Sequence, residues 1–444
     1  MNTPSHSLPP AGLSPAEWFD RCHHVDELRQ LISFLEAQGT FVFPQLPSGL
    51  FSAAASVAEE FGATGYQNVW VRDNVHVANA HLILGDRPAA AAVANAIMTF
   101  YVKHQSRLVD LLEGRLDPSV PMHRPHIRFD GTSCTELTED WAHAQNDALG
   151  AFLWLYARLA VTHDVSLNDA ARVVLADLVH FLALIEYWQD EDAGHWEEVR
   201  KIAASSIGVA LAGLLAVRQF VTRPDELPRF AALERPIDIA QLDHLIDKGR
   251  GALDAILPHE CRQSNPAQKR DADAALLFLI FPYNVVSPEQ ESQILDRVKS
   301  QLLGERGIRR YNGDSYWCAD YKTLLPADER TADFSDDMGR RDALLKPGDE
   351  AQWCLFDPII SIAAGTRYLA SGDVADLEEQ RAFLRRSLSQ LTDGSPPFPP
   401  YRCPESYYLE RGKRVPNDLT PLLWSQANLR LALHAMEQSL SRNT

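Results

Sequence analysis

Apolar residues return at spacings of three and four from one end of this chain to the other, a period that suits helices and fits poorly with a sheet-built fold. Leu175, Leu178, Val179, Leu182 and Ile185 make one stripe. Ile207, Ala210, Leu211, Leu214 and Leu215 repeat it behind Ser205-Ser206, a pair suited to capping a helix start. Thr420-Pro421 reads as an N-cap followed by the residue best tolerated at the first helical position, ahead of a face formed by Leu422, Leu429, Leu433, Met436 and Leu440. Further helical stretches fall near 22–38, 74–84, 88–113, 145–162, 236–256, 288–303, 358–371 and 376–391. Phe41-Val42-Phe43 is the one strand-like run near the start. The pattern predicts about eleven or twelve helices. It implies an all-α chain of helical hairpins around a central axis, with long polar connections at 114–140, 304–350 and 393–419. Connections of that length in a helical domain tend to carry function.

Charge narrows the list of partners. The 444 residues carry a formal net charge of −18 and no Lys/Arg run, which disfavours phosphate backbones and anionic lipid. Neither nucleic acid nor membrane is therefore expected as a partner, whereas a neutral ligand is indifferent to the field. No stretch reads as the roughly 18 to 20 uninterrupted apolar residues of a membrane span. Residues 1–20 are expected to be a flexible lead-in to a single domain over 21–444. The polar, Pro-rich start lacks the basic-then-apolar order of a signal peptide, so a cytoplasmic location is expected. Cys22, Cys134, Cys261, Cys318, Cys354 and Cys403 are scattered without a C-x-x-C pair and are read as free thiols. His123, His126 and His143 form a weak metal pattern, because Pro125 breaks any helical face between the first two. They are read as loop or surface histidines. No metal or cofactor is expected.

Chemistry concentrates in five segments that place aromatics beside carboxylates. They are Tyr66 to Asp73, Trp141 to Asp147, Gly194 to Glu198, Arg310 to Trp317 and Pro404 to Tyr408. With Trp353 they hold five of the nine tryptophans. Sugars explain that mixture: a pyranose stacks its apolar face on a ring, and its hydroxyls need carboxylate, amide and guanidinium partners. Cleaving a glycosidic bond needs two carboxyl groups, one to protonate the leaving oxygen and one to act on water or on the anomeric carbon. A single Trp-Glu or Arg-Asp pair is usually a half-buried ring beside a surface ion pair. Five clusters near helix boundaries are harder to explain that way.

Taken in order, these segments resemble glycoside hydrolase family 15, the glucoamylases and their relatives. They resemble even more closely the related domains of the phosphorylase kinase α and β subunits. The likeness runs from about Ser48 to Leu433 and rests on six motifs in sequence. Pro47-Ser48-Gly49-Leu50 is similar to the entry segment, and Trp70-Val71-Arg72-Asp73, with Tyr66 before it, to Trp-x-Arg-Asp. Trp141 with Gln145-Asn146-Asp147, and Trp196-Glu197-Glu198 followed by Ala204 to Gly208, match the next two. Arg310-Tyr311 with Asp314, then Trp353, and finally Pro404-Glu405 ahead of Leu422 to Gln426 complete the order.

The resemblance implies an (α/α)6 barrel and an inverting attack on the non-reducing end of small α-linked gluco-oligosaccharides. By it, Glu197 is the general acid and Glu405 the base, with Glu410 in reserve. Glu405 must then stay ionised. Glu198 contacts the sugar near the scissile bond. Tyr66, Trp70, Arg72, Asp73, Trp141, Gln145, Asp147, Trp196, Arg310, Asp314 and Trp353 bind substrate. Residues 317–350, with their Asp333 to Asp337 acidic run, depart from the glucoamylase pattern and bear on the leaving-group side. The kinase-subunit likeness keeps a second reading open, a catalytically silent regulatory or sugar-sensing protein. Protein partners are not indicated.

Overall fold

The computed structural model describes residues 12–442 apart from Glu60 and Ser166. In chain order its helices are α1 (Pro15–Phe19), α2 (Val25–Ala37), α3 (Val71–Ile83), α4 (Arg87–Lys103), α5 (Gln105–Leu112), α6 (Asn146–Val161), α7 (Asp169–Leu184) and α8 (Ala204–Val221). There follow α9 (Leu227–Ala231), α10 (Ile239–Ile256), α11 (Leu277–Ile280), α12 (Pro288–Gln301), α13 (Tyr321–Leu324), α14 (Met338–Asp342), α15 (Asp357–Ser371), α16 (Val374–Ser389) and α17 (Leu423–Ser441).

Six of them close a ring: α3 packs on α6, α6 on α8, α8 on α11, α11 on α15, α15 on α17, and α17 back on α3. Each inner helix takes an outer partner, namely α4, α7, α10, α12, α16 and α2 in the order α3, α6, α8, α11, α15, α17. The fold is an (α/α)6 barrel. Its tightest crossing is between α6 and α8. A Cβ on Gly150 would lie 2.5 Å from the Ala210 Cα, and one on Gly213 would lie 2.5 Å from the Gly150 carbonyl oxygen, so only glycines let these backbones meet. Helix α8 is long and apolar enough to cross a bilayer, contrary to the expectation that no segment would be. It is apolar on all sides because it is an inner helix, buried by the ring.

Helix positions match the periodicity closely, and the departures have local causes. Ser205 and Ser206 lie inside α8 rather than capping it. The Glu260 carboxylate does that work from outside, accepting the Ser205 N–H at 3.0 Å and its hydroxyl at 2.6 Å. Helix α17 starts at Leu423, after Pro421, because the Leu422 and Leu423 N–H groups are held by the Cys403 and Ala53 carbonyls. Phe41 to Phe43 form no strand. Residues 1–11 of the lead-in lie outside the described residues. Packed structure nonetheless begins ahead of position 21, since α1 carries a Ser14 capping box and buries Trp18 and Phe19.

Strands occur where the helical pattern is silent. β1 (Val69–Trp70), β2 (Arg128–Asp130) and β3 (Thr135–Glu136) form one antiparallel sheet, and β4 (Gln352–Trp353), β5 (Ser406–Glu410) and β6 (Lys413–Pro416) a second. β1 runs straight into α3, and β4 ends shortly before α15. Both sheets therefore support segments that enter inner helices, and two of the five motifs, Tyr66 to Asp73 and Pro404 to Tyr408, run through them together with Trp353.

Candidate active site

One pocket collects the motifs. It encloses about 710 Å³ with its open mouth included, and Trp70, Trp141, Trp196, Trp353, Tyr66 and Tyr316 supply much of its wall. Arg72, Asp73, Glu197, Arg310 and Glu405 also line it.

Glu197 reaches the pocket through an unusual backbone. It ends the short turn Gly194–Trp196 at φ 58°, ψ 47°, a left-handed conformation that a non-glycine residue adopts at a cost of order 1–3 kcal/mol. Its Oε1 accepts the Trp70 indole N–H at 2.8 Å and an Arg72 Nη2–H at 3.1 Å. Burial raises its pKa, an effect partly offset by Arg72 and reinforced by the Asp333 carboxylate. The two influences oppose each other, and burial prevails.

Behind that glutamate, Arg72 is fixed by Gln145 Oε1 at 2.9 Å and Asp147 Oδ2 at 2.8 Å. Gln145 and Asp147 lie at the start of α6, one layer behind the wall, so they brace the arginine rather than face a ligand. Asp73, in the first turn of α3, is buried enough to have its carboxyl pushed up to about 7.

Glu405 stands on a separate wall. It is buried, accepts the Tyr66 hydroxyl at 3.0 Å and the Asn417 amide at 2.5 Å, and Tyr66 meets Tyr316 at 3.0 Å through their hydroxyls. Burial outweighs these donors and the Arg310 charge and pushes its carboxyl up to about 8. Burial thus opposes the ionised form expected of Glu405, because two neutral donors replace water incompletely. Glu410 lies at the end of β5 beside Tyr408, outside the pocket.

The adjacent Glu198 faces the other way. It is wholly buried, does not line the pocket, and accepts from Arg310 Nη2 at 2.8 Å, Arg341 Nη2 at 2.5 Å and the Tyr311 hydroxyl at 2.5 Å. Despite burial, the arginines hold its carboxyl down at about 2. The sugar-contact role expected for Glu198 is corrected accordingly: the left-handed turn at Glu197 sends successive side chains apart. Asp314 is likewise a brace, taking Arg310 Nε at 2.7 Å and Nη2 at 2.6 Å. The Arg310 guanidinium meanwhile sits 4.9 Å over Tyr316 and 5.1 Å over both Trp196 and Trp353.

Several lining residues were not anticipated. Arg341, Thr331, Ala332 and Asp333 come from the 317–350 segment, Trp424 from α17, and His195 and Tyr316 from within motifs already noted. Arg128 was missed as well. Buried between the rings, it lies 4.0 Å over Trp141 and 5.1 Å over Trp70, and a Cβ on Gly65 would strike its Nη2 at 2.5 Å. Its signal was weak because it sits far from either tryptophan in sequence. The histidines expected in loops or on the surface divide. His126 and His143 are buried with stacked rings 3.8 Å apart, while His123 hydrogen-bonds the Asp117 carbonyl at 3.0 Å.

The (α/α)6 barrel thus brings Glu197 and Glu405, from different segments, into one aromatic pocket. The chain belongs to glycosyl hydrolases family 15, whose family model matches residues 37–317. It is similar to a probable phosphorylase b kinase regulatory subunit alpha of Caenorhabditis elegans, 24% identical over 81% of this chain and 30% of that one. A second relative, the uncharacterized lipoprotein YgeQ of Escherichia coli, is 28% identical over 32% of this chain and 60% of its own. The chain thus spans less than two thirds of the length of either relative. Among solved structures, a wild-type glycosidase superposes with TM-score 0.65 at 18% identity, covering 93% of this chain and 98% of its own. A bacterial glucoamylase complexed with acarbose gives 0.60 at 14%, covering 93% and 56%. The glucoamylase of Saccharomycopsis fibuligera gives 0.59 at 13%, covering 98% and 99%.

Proposed function

We propose that this chain is an exo-acting, inverting hydrolase that releases β-glucose from the non-reducing end of small α-linked gluco-oligosaccharides. The observation that carries the reading is the pair Glu197 and Glu405, each lining one pocket and each held by its own donors. In this reading Glu197 gives its proton to the leaving oxygen. Water attacks the anomeric carbon from the opposite face and loses a proton to Glu405, so the configuration inverts. Burial raises both carboxyls, so near neutrality a proton is held there more readily than by exposed glutamates. The productive form puts that proton on Glu197. Asp333 favours it there, and Tyr66, Asn417 and Arg310 favour charge on Glu405.

Aromatic faces and braced arginines fit a neutral sugar at net charge −18. Acarbose in the bacterial glucoamylase, and glucose bound in a variant of the neighbouring glycosidase, point to the same ligand class. We extend the reading to a cytoplasmic protein with one catalytic domain, since all six cysteines are free thiols, five of them buried. A second reading, regulation without turnover, is favoured by one observation, the kinase regulatory subunit among the relatives.

Proton NMR of the purified chain with α-linked glucose disaccharides and maltotriose separates the two. Early β-glucose is expected. Early α-glucose would overturn inversion, and sugar binding with no product would transfer the case to the regulatory reading.

A further inference from the structure

Residues 317–350 leave the Arg310 wall and return at β4, and in between they cross the pocket mouth. They are fastened in three places. Arg341 on α14 donates to the buried Glu198 at 2.5 Å and to the Ser315 hydroxyl at 3.0 Å. The Thr331 hydroxyl donates to the Thr64 carbonyl at 2.8 Å, two residues ahead of Tyr66. The Asp333 carboxylate accepts the Ser335 N–H at 2.8 Å and faces the backbone N–H of Ala142, next to Trp141. The segment is therefore tied to both banks of the pocket, the Tyr66 bank and the Trp141 bank. Thr331, Ala332 and Asp333 line the cavity between them. On its outer side the same segment faces a larger groove of about 1180 Å³, lined by Ser335, Asp336, Asp337 and Asp342.

Two features orient this roof relative to the chemistry. Asp333 lines the same cavity as Glu197, and its charge acts on that carboxyl, which sets it beside the group that would protonate a leaving oxygen. The neighbouring Glu198 already accepts from Arg310, Arg341 and Tyr311 and does not line the pocket. An acceptor for the hydroxyls of a leaving sugar must then come from elsewhere, and Asp333 is a carboxylate in that position.

We propose that Thr331 to Asp333 form the leaving-group subsite, with Asp333 accepting hydrogen bonds from the leaving sugar and the crossing chain limiting it to one small unit. This rests on the hydrolase reading above and deepens it: the substrate class is an α-linked disaccharide rather than a dextrin.

The test uses the full chain, wild type and Asp333→Asn, on three substrates: α-linked glucose disaccharides, a longer chain of the same linkage, and α-glucosyl fluoride. The fluoride departs as F⁻ while water supplies oxygen to the anomeric carbon and a proton to the base, so no sugar occupies the subsite. Wild type is expected to favour the disaccharide over the longer chain by about tenfold in kcat/KM. Asp333→Asn is expected to lose about tenfold more on the disaccharide than on the fluoride, as a lost hydrogen bond to a charged group would cost, with the loss in KM and beyond what any displacement of the pH profile accounts for. Equal losses on both substrates, a loss carried only by a displaced pH limb, or no loss would overturn the assignment. Equal turnover of long and short chains would overturn it as well. Failure of wild type on all three would instead remove the hydrolase reading on which it stands.

Discussion

The two sides of the pocket are built differently. On the barrel side, Arg72 stands in the first turn of inner helix α3 and Arg310 beside the pocket's tryptophans, each clamped by buried carboxylates. On the roof side, Thr331 to Asp333 hang from a long loop by a few polar ties. A wall braced by helix starts suits the part of a ligand that never varies, and a roof on a loop suits the part that distinguishes substrates. The barrel side should therefore tolerate almost no change, and the roof should trade selectivity before it gives up folding.

The contrast breaks most severely at the carboxyl pair. Glu197→Gln and Glu405→Gln are each expected to lower turnover by on the order of 10²–10⁴ with helical circular dichroism intact. Near-normal turnover in either would mean that the assigned role is wrong.

Next in size is stability. Arg310→Met strands Asp314 as a buried charge and takes one of two arginines from Glu198, and should cost about 3–5 kcal/mol in urea unfolding. Arg341→Met leaves Glu198 with Arg310 and Tyr311 and should cost clearly less. Equal costs would show that roof and barrel are a single unit.

Smaller still is a pH effect. Glu405 rises from an ordinary 4.5 to about 8 on folding, so over that window the native state binds more protons than the unfolded one. Stability must then fall as pH rises from 4.5 to about 8 and level off above. Glu405→Gln should remove that slope and melt above wild type at pH 8 but not at pH 4, as calorimetry would show. The kcat/KM profile of wild type should carry an upper limb near 8, where the pair loses its shared proton. The smallest signal is optical: glucose should quench tryptophan fluorescence, and Trp70→Phe with Trp141→Phe should abolish the response. Unchanged quenching in the double variant would place the sugar elsewhere.

Much of the barrel side was legible in sequence because its residues cluster locally. Trp70-Val71-Arg72-Asp73 declares itself by composition, and α3 begins within it, so the motif and the helix start coincide. Helices α6 and α8 are legible as long apolar runs, because inner helices are buried on nearly every side. What escaped was set by direction and distance. Nothing in Trp196-Glu197-Glu198 tells which carboxyl faces the pocket, because a single left-handed residue decides it. Arg128 and Arg341 reach the site from positions far from the rings and carboxylates they serve, and no local pattern links them. Asp333 was visible only as part of an acidic run, which its contact with the pocket distinguishes from a solvated surface.

Glu198 joins the Arg310 side chain 112 residues away and the Arg341 side chain 143 residues away on one carboxylate oxygen. Contacts that distant in sequence form late, after the intervening helices have already found their places. The Arg310 wall and the Arg341 segment therefore share one anion, and neither side is seated without it. A chain that has closed its barrel but not yet seated that knot would look native by helix content and still have no site.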